Sequence, residues 1–323
     1  MTLTQLAKLA GVTQSTVSKA FAGNPRISEK TREHIFKIAK EHGCFDKYNK
    51  NPFNKKIIAV VCPEINSEHY SSTINYLTKY IRSQGALMLL SQTDFDATVE
   101  QELFTYLSFH CKVNGIILVE PRHEHTNRAL IPAVSIGVQK CKDIDTVIYS
   151  IEKAMDDILF SLKAYGHTRI GFAGEVLTET KEILFRETAG KLAISLEDSG
   201  IRISKKRFEE AGRDCVRQWI SEGALPTAIV AAYDYIAIGV IKELLESGYK
   251  VPEDVSVVGI DDIRISSLLQ PSLSSVQFPK EELCREAAAL VFKKIDNQHY
   301  RSRHIIEIPA QFIPRESIGP VKK

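Results

Sequence analysis

A short run of hydroxyl and amide side chains near the amino terminus has the chemistry to bind nucleic acid. Residues 13–16 read Thr-Gln-Ser-Thr and are followed by Val17, Ser18 and Lys19. Hydroxyls and amides can donate and accept hydrogen bonds at base edges, and a lysine can pair with a phosphate. On the first two turns of a helix, such side chains fit the major groove. The sequence therefore predicts a DNA-contacting helix that begins at Thr13.

Three short helices within residues 1–46 are predicted to position this surface. Thr2 begins a capping box, Thr13 can cap the second helix, Ser28 can cap the third, and Gly43 can end it in a left-handed conformation. Apolar residues at helical spacing supply a small core, namely Leu6, Leu9, Ala10, Val17, Phe21, Ile35 and Ile38. We call this segment the head.

The charge of the chain is unevenly distributed. Residues 1–56 hold 11 Lys and Arg against 4 Asp and Glu, a net charge of +7, whereas the remainder is net −5. A basic head on a mildly acidic body is expected when only the head meets phosphates, although small helical domains are often basic for other reasons. From Cys44 to Lys56 the chain is polar, rich in Lys and Asn, and contains Pro52. We interpret this stretch as a linker, with the boundary after residue 46.

From residue 57 the sequence alternates between apolar runs and amphipathic stretches, which is typical of parallel α/β sheets covered by helices. The expected strands are 57–62, 87–91, 114–119, 133–136, 169–173, 227–232, 255–260 and 304–308. The expected helices are 70–83, 98–110, 151–164, 179–199, 212–222, 234–247 and 280–295. So many units predict two doubly wound lobes, one of about 57–150 plus 278–307 and the other of about 151–277 plus 308–319. Ligands of such folds bind beyond the carboxyl ends of the strands, here between the lobes.

The sequence gives little indication of disulfides, metal sites, membrane segments or catalytic motifs. The six cysteines are scattered and are expected to be reduced thiols of a cytosolic protein. His123 and His125 lack further ligands at suitable spacing, so a solvated loop is favoured over a metal site. The chain has no signal peptide, no apolar run long enough to span a membrane, and no catalytic or phosphate-binding motif. We therefore expect no metal, no cofactor, no membrane partner and no enzymatic activity.

Several segments closely resemble the lactose-repressor (LacI/GalR) family. LAKLAGVTQSTVSKAFAGNPRISEKTRE, from Leu6 onward, is similar to the DNA-binding head of that family. YGHTRIGFAG (165–174), PTAIVAAYDYIAIGVIKELLESGYKVPEDVSVVGIDD (226–262) and LLQPSLSSVQFPKEELCREAA (268–288) are similar to its effector-binding core. The resemblance implies a helix-turn-helix head followed by a two-lobed body like that of the periplasmic binding proteins.

The resemblance also implies which head residues contact DNA. Gln14 and Ser15 stand where the family reads bases, and Lys19 stands where it commonly has Arg, which removes a planar, two-pronged donor. The side chains that would face DNA are Thr13, Gln14, Ser15, Thr16 and Lys19; those that would contact phosphates are Thr2, Thr13, Arg26, Thr31 and Arg32. The alternatives are a plain helix cap for Thr13 and solvated surface positions for the two arginines.

The implied effector contacts lie in both lobes. Asp261, at a strand end, matches the ligand-binding carboxylate of the family and could accept two hydroxyl hydrogen bonds from a sugar, although it could instead cap the following turn. Tyr233 replaces a usual Asn. The full expected set is Asp261, Arg186, Tyr233, Asp234, Phe208, His69 and Tyr70; for the last two, an ordinary surface loop is the alternative.

One segment departs from the family pattern. Members place a short hinge helix between head and body, and its Leu wedges into the minor groove. Here residues 47–56 form a shorter, Pro-containing segment, in which Phe53 falls near the wedge position. The alternative is that the lysines of this segment contact phosphates, namely Lys47, Lys50, Lys55 and Lys56.

These observations predict a cytoplasmic, homodimeric transcriptional repressor. Its heads would read a pseudo-palindromic operator, with half-sites about 34–36 Å apart. A small ligand, expected to be a sugar or a sugar derivative, would bind between the lobes and set operator affinity. The alternative is a metabolite-binding protein that works without DNA.

Overall fold

The computed structural model describes residues 1–22, 24, 26–48, 55–109, 111, 113–125, 131–137, 141, 144–196, 200–297 and 303–322. The chain divides into two compact units, Met1–Lys56 and Ile57–Lys323. The second unit is the body.

The first unit contains the three helices predicted from the sequence: α1 (Leu3–Leu9), α2 (Gln14–Phe21) and α3 (Glu29–Glu41). Thr2 and Gln5 form both bonds of a capping box, and the Thr13 hydroxyl accepts the amide of Thr16 at 3.1 Å. Gly43 adopts φ +62°, as expected for a residue that ends a helix. Local capping therefore fixes where the helices of the head begin and end.

The head continues further than the composition predicted. Residues Phe45–Tyr48 form a helical turn, α4, and Cys44 is buried. The Phe45 ring packs 5.7 Å from that of Phe21, and the Tyr48 hydroxyl donates to the Met1 carbonyl at 2.8 Å. The interpretation of residues 44–48 as linker is therefore wrong, because Phe45 and Tyr48, three residues apart, share one face of a helical turn.

Two further expectations concern the head and the segment after it. Leu9 was expected in the core but is 50% exposed, because Leu6, Ala7 and Ala10 fill the buried face of α1. Lys50, Pro52 and Phe53 lie outside the described residues, so the proposed wedge stays a prediction.

The body begins with a parallel sheet. Its strands are β1 (Ile57–Cys62), β2 (Leu87–Gln92), β3 (Gly115–Val119), β4 (Ala133–Gly137), β5 (Asp145–Ser150) and β11 (Ile305–Pro309), in the order β11-β5-β4-β3-β1-β2. The helices α5 (Glu68–Ser83), α6 (Ala97–Phe109) and α11 (Lys280–Asp296) pack against this sheet. Buried apolar residues form separate clusters on its two faces. This sheet and its helices form the first lobe.

A second parallel sheet forms the second lobe. Its strands are β6 (Ile170–Glu175), β7 (Ile201–Ser204), β8 (Ala228–Ala231) and β9 (Ser256–Val258), in the order β7-β6-β8-β9. The accompanying helices are α7 (Glu152–Ala164), α8 (Glu179–Lys191), α9 (Phe208–Ser221) and α10 (Asp234–Glu246). A short antiparallel pair, β10 (Ser275–Gln277) and β12 (Gln311–Ile313), lies beside β9 through a bridge from Val258 to Ser274.

The prediction of two parallel sheets covered by helices is confirmed, with differences in detail. Strands β5, β7, β10 and β12 were not anticipated, because they are three to six residues long and carry polar side chains. The helix expected over 179–199 ends at Lys191, since Ala193 adopts φ +51° and stops it. The chain passes between the lobes at residues 150–152, 277–280 and 309–311.

Two glycines bring α9 and α10 close together. A Cβ on Gly239 would lie 1.9 Å from the Glu209 carbonyl oxygen, and one on Gly212 would lie 2.1 Å from the Ile236 carbonyl oxygen. Only glycine at these two positions lets the backbones of α9 and α10 come so close. As a result, the amino ends of α9 and α10 lie side by side at the edge of the second lobe.

Candidate functional site

The exposed face of α2 is polar and free of carboxylates. Gln14, Ser15 and Lys19 are exposed, whereas Val17 and Phe21 are buried against the other helices. The sequence contains no Asp or Glu before residue 29. Because no carboxylate repels phosphates here, this face is suited to a polyanion.

Local hydrogen bonds orient two of the side chains that could read bases. The Thr4 hydroxyl donates to the Gln14 side-chain oxygen at 3.2 Å, which leaves the amide nitrogen to donate outward. The Thr13 hydroxyl caps α2 and also lies 2.9 Å from the Thr16 hydroxyl. Thr13 is therefore a helix cap, a role that is compatible with a phosphate contact.

The expected phosphate contacts fall into two groups. Thr2 and Arg26 are exposed at the surface of the head. Thr31 is half-buried and bonded to the Ser28 hydroxyl at 2.7 Å, and Arg32 donates to the Asn24 carbonyl oxygen at 3.0 Å. Arg32 thus holds the connection between α2 and α3, which gives it a structural role that the sequence did not reveal.

A cavity of about 430 Å³ lies between the two lobes of the body. A volume of this size accommodates a small organic ligand. Its lining includes five of the seven predicted effector contacts, His69, Tyr70, Phe208, Tyr233 and Asp261. Side chains at or just after the carboxyl ends of β1, β3 and β6 also line it, namely Glu64, Glu120 and Glu175.

The Glu120 carboxylate organises the wall formed by the first lobe. It accepts the Tyr70 hydroxyl at 2.6 Å, lies 2.8 Å from His69 Nε2, and accepts the Tyr149 hydroxyl. Burial would raise the pKa of Glu120, but the charge of His69 and these hydrogen bonds outweigh burial and hold that pKa below its usual value. Glu120 is therefore an ionised anchor for three ring side chains.

His69 reaches from this wall to the second lobe. Its Nδ1 lies 3.4 Å from Asp261 Oδ1, and Lys181 Nζ lies 3.7 Å from the same oxygen. Burial alone would lower the pKa of His69, but the carboxylates of Asp261 and Glu120 raise it overall. Asp261 itself adopts φ +118°, a backbone conformation that L residues rarely take and that often marks a functional position.

Asp234 does not line the cavity, in contrast to the prediction. It is completely buried, and its carboxylate accepts the Ser266 hydroxyl at 2.6 Å, the Ser275 hydroxyl at 2.5 Å and the Ile263 amide at 2.8 Å. Burial raises its pKa to about 7, helped by the charge of Asp261. Asp234 therefore holds the loop that carries Asp261 instead of meeting a ligand.

A second ionic cluster joins the lobes through Arg207. Its guanidinium pairs with both oxygens of Glu64, at 3.1 and 3.4 Å, and its Nε lies 3.5 Å from Glu175 Oε1. Tyr233 stands at the amino end of α10, donates to Glu175 Oε1 at 3.3 Å, and accepts the Phe208 amide at 3.0 Å. The approach of α9 to α10 therefore sets the position of this cluster.

Two other predictions are wrong. Arg186 is exposed and pairs with Glu182 at 2.8 Å, so it does not line the cavity; on the same helix, Lys181 and Glu187 do. His125 is not in a solvated loop: it is buried, and its Nε2 lies 2.7 Å from Glu100 Oε1.

Sequence reasoning also missed Glu64, Glu120, Glu175, Lys181 and Arg207. The three glutamates carried a usable signal, since each ends or closely follows a parallel strand, where ligand contacts of such sheets concentrate. Arg207 carried none, because its partners are up to 143 residues away.

Comparison with known proteins identifies both parts of the chain. Residues 2–44 match the model of bacterial regulatory proteins of the lacI family, and residues 161–318 match the periplasmic binding protein-like domain. The NTD biosynthesis operon regulator NtdR of Bacillus subtilis (strain 168) is 27% identical, with 98% of this chain and 99% of the relative covered. The chain belongs to the LacI family. This LacI-family chain is a DNA-binding transcriptional regulator.

Solved structures with a similar fold cover nearly the whole chain. The transcriptional regulator CelR in complex with cellobiose has a TM-score of 0.70 at 23% identity and covers 98% of this LacI-family chain and 99% of CelR. A dimer of the lac repressor bound to operator and an anti-inducer has a TM-score of 0.69 at 21% identity, with 98% of each chain covered. Within the described ranges, none of the helices of this LacI-family chain could cross a bilayer.

Proposed function

We propose that this chain represses transcription from a pseudo-palindromic operator and that a small hydroxylated effector, bound between the lobes, sets its operator affinity. The observation that carries the proposal is the combination of a carboxylate-free α2 surface with a 430 Å³ cavity bridged by ionic contacts from both lobes. The chain acts in the cytoplasm, as a homodimer and without catalysis. The structural neighbour solved as an operator-bound dimer supports this assembly.

In the proposed complex, α2 lies in the major groove. Gln14, Ser15 and Lys19 reach base edges, because they share its exposed face. Thr13 and Thr16, at the amino end of α2, contact the backbone, together with Thr2, Arg26, Thr31 and Arg32. Two heads are required, because one buries too little surface for specific binding at physiological salt.

In the body, Asp261 and the tyrosines around the cavity would accept and donate hydrogen bonds to ligand hydroxyls. His69 and Asp261 come from different lobes, and so do Glu64 and Arg207. A ligand that rearranges these pairs changes the energy of lobe closure, which is the differential contact that coupling to DNA requires. The neighbour solved with cellobiose supports a carbohydrate as effector.

The DNA arm is tested by selecting binding sites from a random duplex library with the purified protein. We expect a pseudo-palindrome to be enriched. Gln14→Ala should relax preference at one position of each half-site by about 1–3 kcal/mol, because a side chain that reads a base edge is lost. Failure to enrich any sequence, under salt that permits binding, would contradict the proposal.

The effector arm uses the selected operator and a panel of sugars. A sugar that alters operator affinity should lose that effect with Asp261→Asn, while operator affinity without sugar is retained. Glu253→Gln, an exposed carboxylate change outside the cavity, is the control. An unchanged response in Asp261→Asn would remove Asp261 from the effector site.

A further inference from the structure

A positively charged side chain of the protein itself, Arg207, lies in the cavity. The Arg207 guanidinium lies 5.0 Å from the centre of the Phe95 ring and 4.6 Å from that of Phe208. It also lies against the carboxylates of Glu64 and Glu175. Two aromatic faces and two carboxylates are the elements of a receptor for organic cations.

Carboxylates outnumber basic side chains around this cavity. Among the described residues, those that line it include Glu64, Glu120, Glu152, Glu175, Glu187 and Asp261, against Arg122, Lys181 and Arg207 and the ring of His69. Arg207 and Lys181 already face carboxylates. A ligand with a phosphate or carboxylate group would have to displace those partners and enter a site of negative net charge, which is unfavourable.

Two of these carboxylates have a buried oxygen that accepts no hydrogen bond from the described part of the chain. Glu175 is 1% exposed, and its Oε2 accepts no hydrogen bond from any described residue. Asp261 Oδ1 also accepts none, although His69 and Lys181 approach it. A buried acceptor that is left unpaired destabilises the site, so both oxygens favour a ligand that donates a hydrogen bond.

Of the two carboxylates, Glu175 is better suited than Asp261 to bind a positively charged donor. Asp261 Oδ1 has two basic nitrogens within 4 Å, whereas the nearest guanidinium nitrogen to Glu175 approaches its other oxygen, at 3.5 Å. Tyr233 and Phe208, which contact Glu175 and Arg207, supply aromatic surface beside it. An ammonium group placed here meets one free carboxylate oxygen and an aromatic face.

We propose that the effector is a hydroxylated molecule that carries a protonated amino group, such as an amino sugar or an amino polyol, and that Glu175 binds this ammonium in competition with Arg207. The inference rests on the proposed function of the cavity and names the class of its ligand. Asp261 and the tyrosine hydroxyls bind the hydroxyl groups, and Arg207 is the internal cation that the ligand displaces from Glu175.

The test compares matched pairs of probes by isothermal titration calorimetry at about pH 6, where the amines are protonated. The pairs are glucosamine with glucose, galactosamine with galactose, and 1-amino-1-deoxysorbitol with sorbitol. N-acetylglucosamine, which keeps the nitrogen but not its charge, and glucose 6-phosphate complete the set. We expect at least one amine to bind about tenfold more tightly than its neutral partner, which is about 1.4 kcal/mol. Acetylation should abolish that gain.

Variants test the assignment through the ratio of amine affinity to neutral affinity, which cancels general damage to the cavity. In Glu175→Gln the ratio should fall about tenfold, towards one, because the charge is lost while the hydrogen bond from Tyr233 can remain. In Arg207→Gln the ratio should rise, since the internal competitor is gone. Glu253→Gln should leave it unchanged.

The outcomes separate this inference from the proposed function. If no amine binds more tightly than its neutral partner, or if glucose 6-phosphate binds best, the charge assignment is overturned. A fall of the ratio in Arg207→Gln would overturn it as well, by making Arg207 a ligand contact. Binding of the wild-type protein to the selected operator DNA is measured in parallel, and only a failure to bind this DNA would count against the regulatory function.

Discussion

The surface of α2 and the cavity between the lobes are built in opposite ways. On α2 and its cap, the candidate side chains lie within six residues of one another. All are exposed except the half-buried Thr16, and the bonds that orient them span at most ten residues. In the cavity, His69 meets Asp261 and Glu64 meets Arg207, pairs that are 192 and 143 residues apart. The first surface is a local structure, whereas the second exists only when the whole body is folded.

The comparison explains how the two sites can serve one response. An exposed polar face is ready to bind DNA at any time, and its contacts depend on salt. A largely buried cluster of paired charges has discrete arrangements, because separating the partners leaves buried charges unpaired. The cavity is therefore the part of the molecule suited to switching, and α2 is the part suited to reading.

The largest effect should come from Gly239→Ala. The added Cβ would lie 1.9 Å from a backbone oxygen of α9, so the two helices must separate. We expect a loss of about 3 kcal/mol in the free energy of unfolding of the body. Fluorescence of Trp219, the single tryptophan and fully buried in the second lobe, measures it in denaturant titrations.

Gly190→Ala is the matched control. Gly190 lies in α8, and nothing lies within 4 Å of an added Cβ. Because Gly190 lies in the last turn of α8, alanine there should stabilise by less than the roughly 1 kcal/mol expected in a helix interior. Equal effects of the two changes would show that close approach of α9 and α10 does not hold the cavity together.

A smaller effect is expected in the head from Tyr48→Ala. The change removes the ring contact with Phe21 at 6.0 Å and the hydrogen bond to the Met1 carbonyl. We expect about 1–2 kcal/mol of lost stability, measured by circular dichroism on thermal unfolding. Tyr48→Phe, which keeps the ring, should lose about half or less. If neither Tyr48 variant lost stability, residues 45–48 would contribute nothing to the head and would be better described as part of the linker.

The bridge made by His69 should depend on pH. The pKa of His69 is raised in the folded protein. Protonated His69 therefore stabilises the fold fully below pH 6.5, its ordinary pKa, and this contribution is lost as pH rises through the raised pKa. The pKa values of Asp261 and Glu120 are lowered, so their contribution is present above 3.8 and 4.5 and is lost as pH falls through the lowered values. Tyr149 and Tyr70, which face the same groups, have pKa values raised well above 10 and stay neutral.

The wild-type chain should therefore exceed His69→Gln in stability by about 1 kcal/mol between pH 4.5 and 6.5, with a smaller difference on either side. Melting temperatures of both proteins across that range provide the measurement. A difference that grows with rising pH would contradict the assigned charge of His69 and, with it, the contrast between a cavity suited to switching and an α2 surface suited to reading.

The smallest effect concerns salt. Arg26→Gln should weaken binding to all DNA sequences alike and reduce the slope of log affinity against log salt by about one, because one phosphate contact is lost. Lys250→Gln, an exposed change in the body, should leave the slope unchanged. Equal slopes for Arg26→Gln and the wild-type chain would exclude Arg26 from the DNA surface.

The difference between the two sites also decided what the sequence could predict. Caps at Thr2, Thr13 and Ser28 are local patterns, and the structure confirms each of them. Most apolar strands and amphipathic helices were equally readable, because periodicity is a local property. Asp261 was placed at the cavity by family resemblance, and the structure brings it there.

The failures have a common physical cause. Arg186 and Lys181 lie on the same helix, and only packing against the rest of the lobe decides which of them lines the cavity. Asp234 was expected to bind ligand, yet Gly259 lets the chain pass so close that a Cβ there would lie 2.1 Å from its carboxylate. Such long-range proximity leaves no periodic trace in a sequence.

The crossings of the chain between the lobes determine the order in which the lobes can be completed during synthesis. The second sheet is complete once residue 258 has been made, whereas the first still lacks α11 and its edge strand β11, which ends at Pro309. A nascent chain can therefore form most of the core of the later lobe, although Phe278 and Ile318 join it afterwards, while the earlier lobe still exposes the surface that α11 covers. A chain that ends before α11 would carry a first sheet with one face uncovered, and such exposed apolar surface favours aggregation over ligand binding.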